Sequence, residues 1–526
     1  MCITKAIEFC DFKSFYNKYK PLTPYGNNHK ESMPFYSNAD ELNQIHNGIE
    51  NLMHFITNAE SKALKTEHHL GRIDPLNTLD KSEFDAVDIQ LIKKFLIHTQ
   101  AIDKSLSEEI KNKIGFNTSS IPLLQSLAPD NDMSESFYLS SAFNPDLEKV
   151  RKLLTIADKE LNLLRKQTLD KIKHKYGIDL SGRDFVLIDN SKIDDIDNSL
   201  LVTEFYDSTF LKVKAAFNST YLDALVKKEQ LLIQESEFEK RVLKELSNKI
   251  KASNTQLKQD IECIKKLDIL LAKARLAIKY QLVKPQFSSD KIVVEQGIYY
   301  PLFEKHHQKD LRYTPLNACF SHNAILLSGS NMGGKTVLFK TMAFLQLLTQ
   351  MGFFVPAKAY STRLFSQIIV LGAAEINSVE GLSSFGQEIH QLSSGLDTGA
   401  SRLLFVDELA KTTNATEAKA ILYAVLRYVV THPNITGFFS THFIKIPNIE
   451  GVAKYRMNGL DKEAYLKHCD TQTEDIEDKI RQINAYMQYE VSADDGNNHA
   501  YDALTIAKML GLQSEIIKYA NDYLDN

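Results

Sequence analysis

The chain has 526 residues, a formal net charge of −5 and five cysteines. This length predicts about three domains, because single hydrophobic cores stop growing at ~250–300 residues. The net charge excludes a bulk attraction to nucleic acid, so any such contact has to be local. The cysteines are scattered and odd in number, which is typical of reduced thiols and predicts a cytoplasmic protein. No apolar run approaches the ~18 residues that span a bilayer, so no membrane contact is expected.

The first part of the chain, 1–210, is predicted to form a mostly α-helical core region, because its apolar residues keep helical spacing. Near its end, two short runs rich in β-branched and aromatic residues cover 184–188 and 199–205. An Asp, Asn and Ser cluster separates the two runs. This pattern predicts a small β hairpin near 184–205.

The next segment, 211–284, is predicted to form long lever helices. Neither glycine nor proline occurs from Arg183 to Lys284, and apolar residues keep helical spacing from Tyr221 to Val283. A continuous helix of that length would be on the order of 90 Å long. Helices of this kind are usually levers or coiled-coil arms.

Four lysines in this segment recur every seven residues, which predicts that they share one helix face. They are Lys244, Lys251, Lys258 and Lys265. Such a face is either a stripe that follows the phosphates of duplex DNA or a solvated coiled-coil flank.

From residue 285 to the end, the pattern changes to α/β. Five short β-prone runs alternate with helical patterns around 337–350, 385–396 and 415–430. The five runs are Ile292–Val294, Ala324–Leu327, Gln367–Leu371, Leu403–Val406 and Gly437–Ser440. This alternation predicts a mainly parallel sheet with a ligand site at the carboxyl ends of its strands.

A glycine-rich loop lies between a predicted strand and a predicted helix, and it matches the Walker A pattern G-x-x-x-x-G-K-[ST]. The loop and the first helical residue are Gly329, Ser330, Asn331, Met332, Gly333, Gly334, Lys335, Thr336 and Val337. Backbone N–H groups of such a loop cradle phosphate oxygens, and the following helix N-terminus adds a favourable field. We expect Lys335 to reach the β- and γ-phosphates and Thr336 to bind Mg²⁺. The alternative is an ordinary glycine turn.

Two further predicted strands end in residues that suit phosphate chemistry. Asp407 and Glu408 follow one strand, and His442 follows the next. Phosphate-loop ATPases hold Mg²⁺ through an acid at such a strand end, which fits Asp407 together with Thr336. A second carboxylate polarises the attacking water, which fits Glu408, and a histidine can hydrogen-bond that water or the γ-phosphate. Glu408 and His442 are therefore predicted as catalytic residues, with a solvated strand end as the alternative.

These residues together resemble the MutS family, the ABC-type ATPases of DNA mismatch repair. Asn331–Lys335 resembles the family's N-M-G-G-K loop, Thr441-His442 resembles its T-H switch, and Leu267–Arg275 is similar to the end of its lever helix. The resemblance implies an ABC-type P-loop ATPase domain over 285–526. It also implies ATP and Mg²⁺ as cofactors, with hydrolysis coupled to a conformational change.

The resemblance further implies a composite site built by two protomers. Gly381–Glu388 is similar to the family's G-x-S-T-F-x-x-E segment, whose serine reaches the partner's nucleotide. Ser383 and Ser384 are the matching positions, in a homodimer or a heterodimer with a similar chain. Tyr501–Leu512 resembles the helices that clasp the partner ATPase. Tyr313 is the aromatic residue nearest to the segment that stacks on adenine in the family.

Two departures from the family pattern stand out. The family continues its Asp-Glu pair with G-R-G-T, whereas Ala410–Thr413 stands here and lacks both glycines. The family's mismatch wedge, Phe-x-Glu, does not occur in this sequence. We therefore expect a trimmed member that lacks the mismatch-recognition domain and does not sense mismatches.

Two functions stay open. The first is a dimeric ATPase clamp that acts on double-stranded or branched DNA. The second is a protein-remodelling ATPase that grips a client protein, because MutS-like proteins without mismatch domains resemble the reactivating factors of cobalamin-dependent aminomutases.

Overall fold

The structure is a computed structural model that describes residues 2–192, 196–329, 333–372, 384–397, 399–410, 413–443, 446–464, 483, 485–494 and 502–524. In these ranges no helix combines the length and apolar character needed to cross a membrane. The chain divides into two compact units. The first unit comprises Met1–Gly71, Ser105–Phe116 and Ile264–Asn526, and the second comprises Arg72–Lys104 and Asn117–Cys263.

The described α-helices are spread along the whole chain. In chain order they are α1 (Cys2–Phe9), α2 (Phe12–Tyr16), α3 (Pro24–Ser32), α4 (Ala39–Asn58), α5 (Glu60–Leu70), α6 (Ala86–Ser105), α7 (Glu108–Ile114), α8 (Leu123–Leu127), α9 (Pro145–Tyr176), α10 (Ser219–Ala252), α11 (Asn254–Tyr280), α12 (Tyr300–Gln308), α13 (Lys335–Gln350), α14 (Ser384–Gly395), α15 (Ala415–Val430), α16 (Asp502–Met509) and α17 (Ser514–Leu524).

The described strands form three sheets. In chain order they are β1 (Val186–Asp189), β2 (Leu201–Phe205), β3 (Phe210–Ala215), β4 (Gln286–Phe287), β5 (Ile292–Gly297), β6 (Leu316–Phe320), β7 (Ala324–Ser328), β8 (Ala359–Thr362), β9 (Gln367–Leu371), β10 (Arg402–Asp407), β11 (Ile435–Ser440), β12 (Val452–Leu460) and β13 (Met487–Ala493).

In the second unit, α9 and α10 lie side by side and antiparallel. Arg151 on α9 contacts Glu235 and Glu239 on α10, while Asp158 contacts Lys228, so positions rise along one helix as they fall along the other. Helix α9 starts with a side-chain cap, because the side chain of Asn144 accepts hydrogen bonds from two backbone N–H groups of the first turn.

The small sheet of the second unit corrects the hairpin prediction. Strands β1 and β2 do not pair with each other; both pair antiparallel with β3, in the order β1-β3-β2. Strand β3 was missed because lysines alternate with its apolar residues. In the structure Lys212 and Lys214 lie beside Glu204 of β2, at 3.6 and 2.5 Å, which offsets their charge.

The segment predicted to form long lever helices contains two helices and not one continuous helix. Helix α10 ends at Ala252, α11 begins at Asn254, and Ser253 between them has φ −98° and ψ 8°. Ser and Asn compete for backbone hydrogen bonds and favour helix ends, and the Asn254 side chain donates to Leu79 O. The four regularly spaced lysines are thus divided between two helices, so they do not form one continuous helix face.

The first unit contains the predicted mainly parallel sheet. Its six strands have the order β13-β12-β7-β11-β10-β9, and every neighbouring pair is parallel except β12 and β13. One predicted strand lies elsewhere, because β5 belongs to a separate four-stranded sheet with the order β4-β8-β5-β6. Periodicity detects a buried strand but does not assign its sheet.

The central strands of the parallel sheet are apolar on both faces, as expected where helices cover a sheet. All of β11 is buried, and so are Ala324–Leu327 of β7 and Arg402–Val406 of β10. Helix α15 packs on one side through Leu422 and Leu426. The polar residues that follow these strands are therefore presented at one rigid edge.

Candidate functional site

Three adjacent strand ends meet at the carboxyl edge of the parallel sheet. In the register of the sheet, Asp407 at the end of β10 lies opposite Ser440 at the end of β11, and Ser440 lies opposite Leu327 near the end of β7. The glycine-rich loop follows β7 and leads into α13. The topology therefore brings the loop, the acid pair and the histidine segment to one place.

The loop requires glycine at two described positions. Gly329 has φ +130° and Gly334 has φ +92°, a region of backbone conformation that side chains disfavour. A Cβ on Gly334 would also lie 3.1 Å from the Tyr489 ring, and one on Gly329 would lie 3.2 Å from Met457 Cβ. The loop is closely packed against β12 and β13.

Lys335 begins α13 and is 4% exposed. Its Nζ donates to Gly329 O at 2.6 Å, so the Lys335 side chain connects the end of the loop to its beginning. A buried ammonium group that meets a carbonyl oxygen is well placed to exchange that partner for a phosphate oxygen.

Asp407 is at the centre of a hydrogen-bond chain that links the strand ends. Thr336 Oγ1 donates to Asp407 Oδ2 at 2.8 Å, and Ser440 Oγ donates to Asp407 Oδ1 at 2.6 Å. Glu408 N donates to Ser440 Oγ at 3.0 Å. The hydroxyl of Thr336 and the carboxylate of Asp407 are hard oxygen donors, the kind that Mg²⁺ prefers.

Glu408 and His442 lie next to each other at the same edge. Glu408 Oε1 is 3.9 Å from His442 Nδ1, with side-chain exposures of 18% and 52%. The backbone of Glu408 has φ 58°, in the left-handed region that residues with a side chain rarely adopt. The two predicted catalytic residues are thus brought together beside Asp407.

The turn after Glu408 is held by contacts with other segments of the chain. Ala410 has φ 60°, and its backbone N–H donates to Glu388 Oε1 at 2.8 Å. Gly372 packs against Asp407 so closely that a Cβ would lie 2.2 Å from Asp407 O. These contacts fix the backbone on both sides of the acid pair.

A cavity of about 300 Å³ adjoins the loop. Tyr313, Lys335, Thr336 and Val337 contribute to its lining. The Tyr313 ring packs on Phe303 and His306, its hydroxyl accepts from Tyr299 N at 2.7 Å, and burial raises its pKa to about 12.

The lining residues that the sequence analysis missed include His306, Arg312, Met457 and Tyr489. Tyr489 is on β13, far along the chain from the loop, and burial raises its pKa. Only the pairing of β13 with β12 brings it to the loop. No local motif marks it.

Several predicted site residues are outside the described part of the chain. Ser330, Asn331, Met332 and Ser383 have no described position. Ser384 begins α14, but its side chain is likewise outside the description. Gly333 is buried.

Comparison with known proteins identifies the C-terminal part of the chain. Residues 325–526 match the family model of MutS domain V. The chain is 29% identical over 270 residues to the DNA mismatch repair protein MutS of Bacillus licheniformis, which covers 49% of this chain and 30% of that protein. It is 26% identical over 313 residues to the DNA mismatch repair protein MutS of Bacillus subtilis, which covers 58% of this chain and 34% of that protein.

A third relative is the endonuclease MutS2 of Leuconostoc mesenteroides, 29% identical over 204 residues, with 38% of this chain and 25% of that protein covered. The chain thus spans about a third or less of the length of the curated relatives it matches. The MutS domain V match takes in the strands and the loop that bring Lys335, Asp407 and His442 together. Residues 325–526 therefore belong to the MutS domain V family.

Proposed function

We propose that this protein is a MutS-like ATPase that binds ATP with Mg²⁺, hydrolyses it and couples hydrolysis to a conformational change. The observation that carries the proposal is the contact between Thr336 Oγ1 and Asp407 Oδ2 at 2.8 Å, next to the buried Lys335. A P-loop hydroxyl beside a strand-end acid is the ligand pair that holds Mg²⁺ in phosphate-loop ATPases.

Each residue has a distinct task in the proposed reaction. Lys335 exchanges Gly329 O for phosphate oxygens, while the N–H groups of residues 329–336 cradle the phosphates. Thr336 and Asp407 hold Mg²⁺, which when bound neutralises charge on the phosphates. Glu408 orients the attacking water and accepts its proton. His442 hydrogen-bonds the water or the γ-phosphate.

The proposed active form is a homodimer or a heterodimer with a similar chain. Ser383 and Ser384 contact the partner's nucleotide, and the C-terminal helices hold the two protomers together. We retain the division into a core region over 1–210, lever helices over 211–284 and an ATPase domain over 285–526. Tyr313 contributes to adenine binding by packing, since it lines the cavity beside the loop.

We propose DNA structures as the macromolecular ligand, double-stranded or branched. The support comes from the relatives, which are named as DNA mismatch repair proteins and an endonuclease. Purified protein should bind duplex and branched DNA at physiological salt, and Mg²⁺-dependent ATP hydrolysis should change when DNA is added. Lys335→Ala should abolish hydrolysis, while Lys340→Ala on the same helix should not.

One observation favours a client protein instead. The small sheet of the second unit exposes large apolar side chains, with Phe205 78% and Tyr206 57% exposed. Exposed aromatic side chains of this kind are common at protein interfaces. If DNA neither binds to the protein nor changes its ATP turnover, we propose the protein-remodelling function instead. The protein would then be of the aminomutase-reactivating kind. A pull-down with ATP, using wild type and Phe205→Ser, would then identify the client.

A further inference from the structure

A second cavity, of about 410 Å³, lies in the first unit and shares no lining residue with the cavity beside the phosphate loop. It is lined by the segment that follows α2, by Glu67 on α5 and by one face of α11. Its volume falls in the ~300–1,000 Å³ range of small-molecule sites.

The carboxylates in this cavity are already engaged by protein groups. Asp268 is 1% exposed and accepts hydrogen bonds from Leu22 N, Thr23 N and Thr23 Oγ1, at 2.9, 2.8 and 2.6 Å. Glu67 accepts from Arg275 Nε at 2.6 Å and from Arg275 Nη2 at 3.1 Å. Both acids therefore have donors from the protein itself, and the charge of Glu67 is balanced by Arg275.

The cations in the cavity outnumber these acids. Lys18, Lys20, Arg275 and Lys279 contribute to the lining against Glu67 and Asp268. Lys18 is paired with Glu304 at 2.6 Å. Lys20 and Lys279 are exposed and have no ion pair with any described residue; Lys279 lies over the Tyr280 ring at 5.4 Å.

The inner wall of the cavity is apolar. Leu271 and Leu276, 2% and 4% exposed, contribute to it together with Ala272. A ligand that fits such a cavity has an apolar body for this wall and an anionic group for the two lysines. Burial of the apolar body and pairing of the anionic group with the lysines would then both favour binding of the ligand.

We propose that this cavity binds a small organic anion, a carboxylate or phosphate ester with an apolar body, whose charge is held by Lys20 and Lys279. The site is separate from the nucleotide site and does not depend on it. An inorganic anion without an apolar body should bind poorly, because it leaves the leucine wall unoccupied.

The test uses the full chain and the fluorescent aromatic sulfonate 1-anilinonaphthalene-8-sulfonate as the probe. Octanoate and octyl phosphate compete as the two head-group classes, and inorganic phosphate competes as the head group alone. We expect saturable binding that the octyl compounds displace and that saturating Mg²⁺-ATP does not.

Variants then locate the site. Lys20→Ala/Lys279→Ala should weaken binding about tenfold or more, which is about 1.4 kcal/mol. The matched control Lys13→Ala/Lys62→Ala removes two exposed lysines of the same unit outside the cavity and should leave binding unchanged. Ala272→Leu keeps the charge but narrows the cavity, so it should also weaken binding. Equal affinity in the lysine double variant and its control, or displacement by Mg²⁺-ATP, would overturn the proposal.

Discussion

Ala410 holds a left-handed backbone conformation in the turn directly after Asp407 and Glu408. A side chain with a Cβ disfavours this conformation by roughly 1–2 kcal/mol, and glycine does not. The MutS-like sequence pattern has glycine at this position. The bond from Ala410 N to Glu388 Oε1 at 2.8 Å helps to hold the strained turn in place.

Ala410→Gly should therefore raise the free energy of unfolding by about 1 kcal/mol, partly offset by the entropy of the unfolded chain. Chemical denaturation of both proteins measures this change. Ala420→Gly is the matched control: Ala420 is exposed on α15, where glycine should lower stability by about 1 kcal/mol. Destabilisation by both substitutions would mean that the turn is not strained.

Tyr489 packs against the phosphate loop at Gly334 and lines the adjoining cavity. We expect Tyr489→Ala to weaken ATP and ADP binding about tenfold, because stacking of a base on an aromatic ring is worth ~1–3 kcal/mol. Tyr489→Phe keeps the ring and should bind as wild type does. Calorimetric titration checks both variants, and unchanged affinity in Tyr489→Ala would remove this residue from the site.

At the scale of elements, α11 is joined to the turn after α13 by a buried lysine. Lys273 Nζ donates to Met351 O at 2.8 Å and lies 4.5 Å from the centre of the Phe353 ring. Burial lowers the pKa of Lys273 to about 7. The neighbouring His46 is also buried, and burial lowers its pKa to about 3, so it stays neutral at higher pH.

This lysine predicts a rise of stability with pH. Between pH 7 and about 10.4, the unfolded chain keeps a proton on Lys273 that the folded chain has released. Folding is then favoured as pH rises, by up to about 1.4 kcal/mol per pH unit. The difference in unfolding free energy between wild type and Lys273→Met, measured from pH 7 to 9.5, should show this slope. A difference that stays constant with pH would contradict it.

Some of the helices and strands were predictable from the sequence, and others were not. The strand runs 324–327, 367–371 and 403–406 were predicted closely, because strands covered on both faces are continuously apolar. The break at Ser253 was not predicted, since Ala252, Ser253 and Asn254 contain neither glycine nor proline. Strand β3 was missed because lysines mask its apolar alternation.

The candidate site was predictable where local sequence marks it, as the Walker A pattern marks Lys335 and the strand ends mark Asp407, Glu408 and His442. Tyr489 was not predicted, and Glu388 was matched to the family's segment without a role in the turn. Tyr489 reaches the loop through the pairing of β12 with β13, and Glu388 reaches the turn from α14. Long-range contacts of this kind depend on tertiary packing, which local spacing does not encode.

At the scale of the whole molecule, the proposed composite site needs two protomers. The C-terminal segment that contains α16 and α17 exposes several large apolar residues. They are Leu510 and Leu512, which follow α16, and Ile516, Tyr519 and Tyr523 on α17. A chain cut after Asp495 should lose this surface and be monomeric, with ATP turnover lowered at least tenfold. Sedimentation and turnover check this together. An unchanged oligomer with full activity would contradict the composite site.

In the proposed reaction, Glu408 activates water for hydrolysis of ATP held by Lys335, Thr336 and Asp407. The most direct test measures ATP binding and ATP turnover with Mg²⁺ in wild type and Glu408→Gln. We predict unchanged ATP affinity and turnover lowered by about 10²–10⁴-fold, the usual contribution of a general base. Lys335→Ala, the binding control, should retain no ATP. Turnover by Glu408→Gln at the wild-type rate would contradict the catalytic role of Glu408.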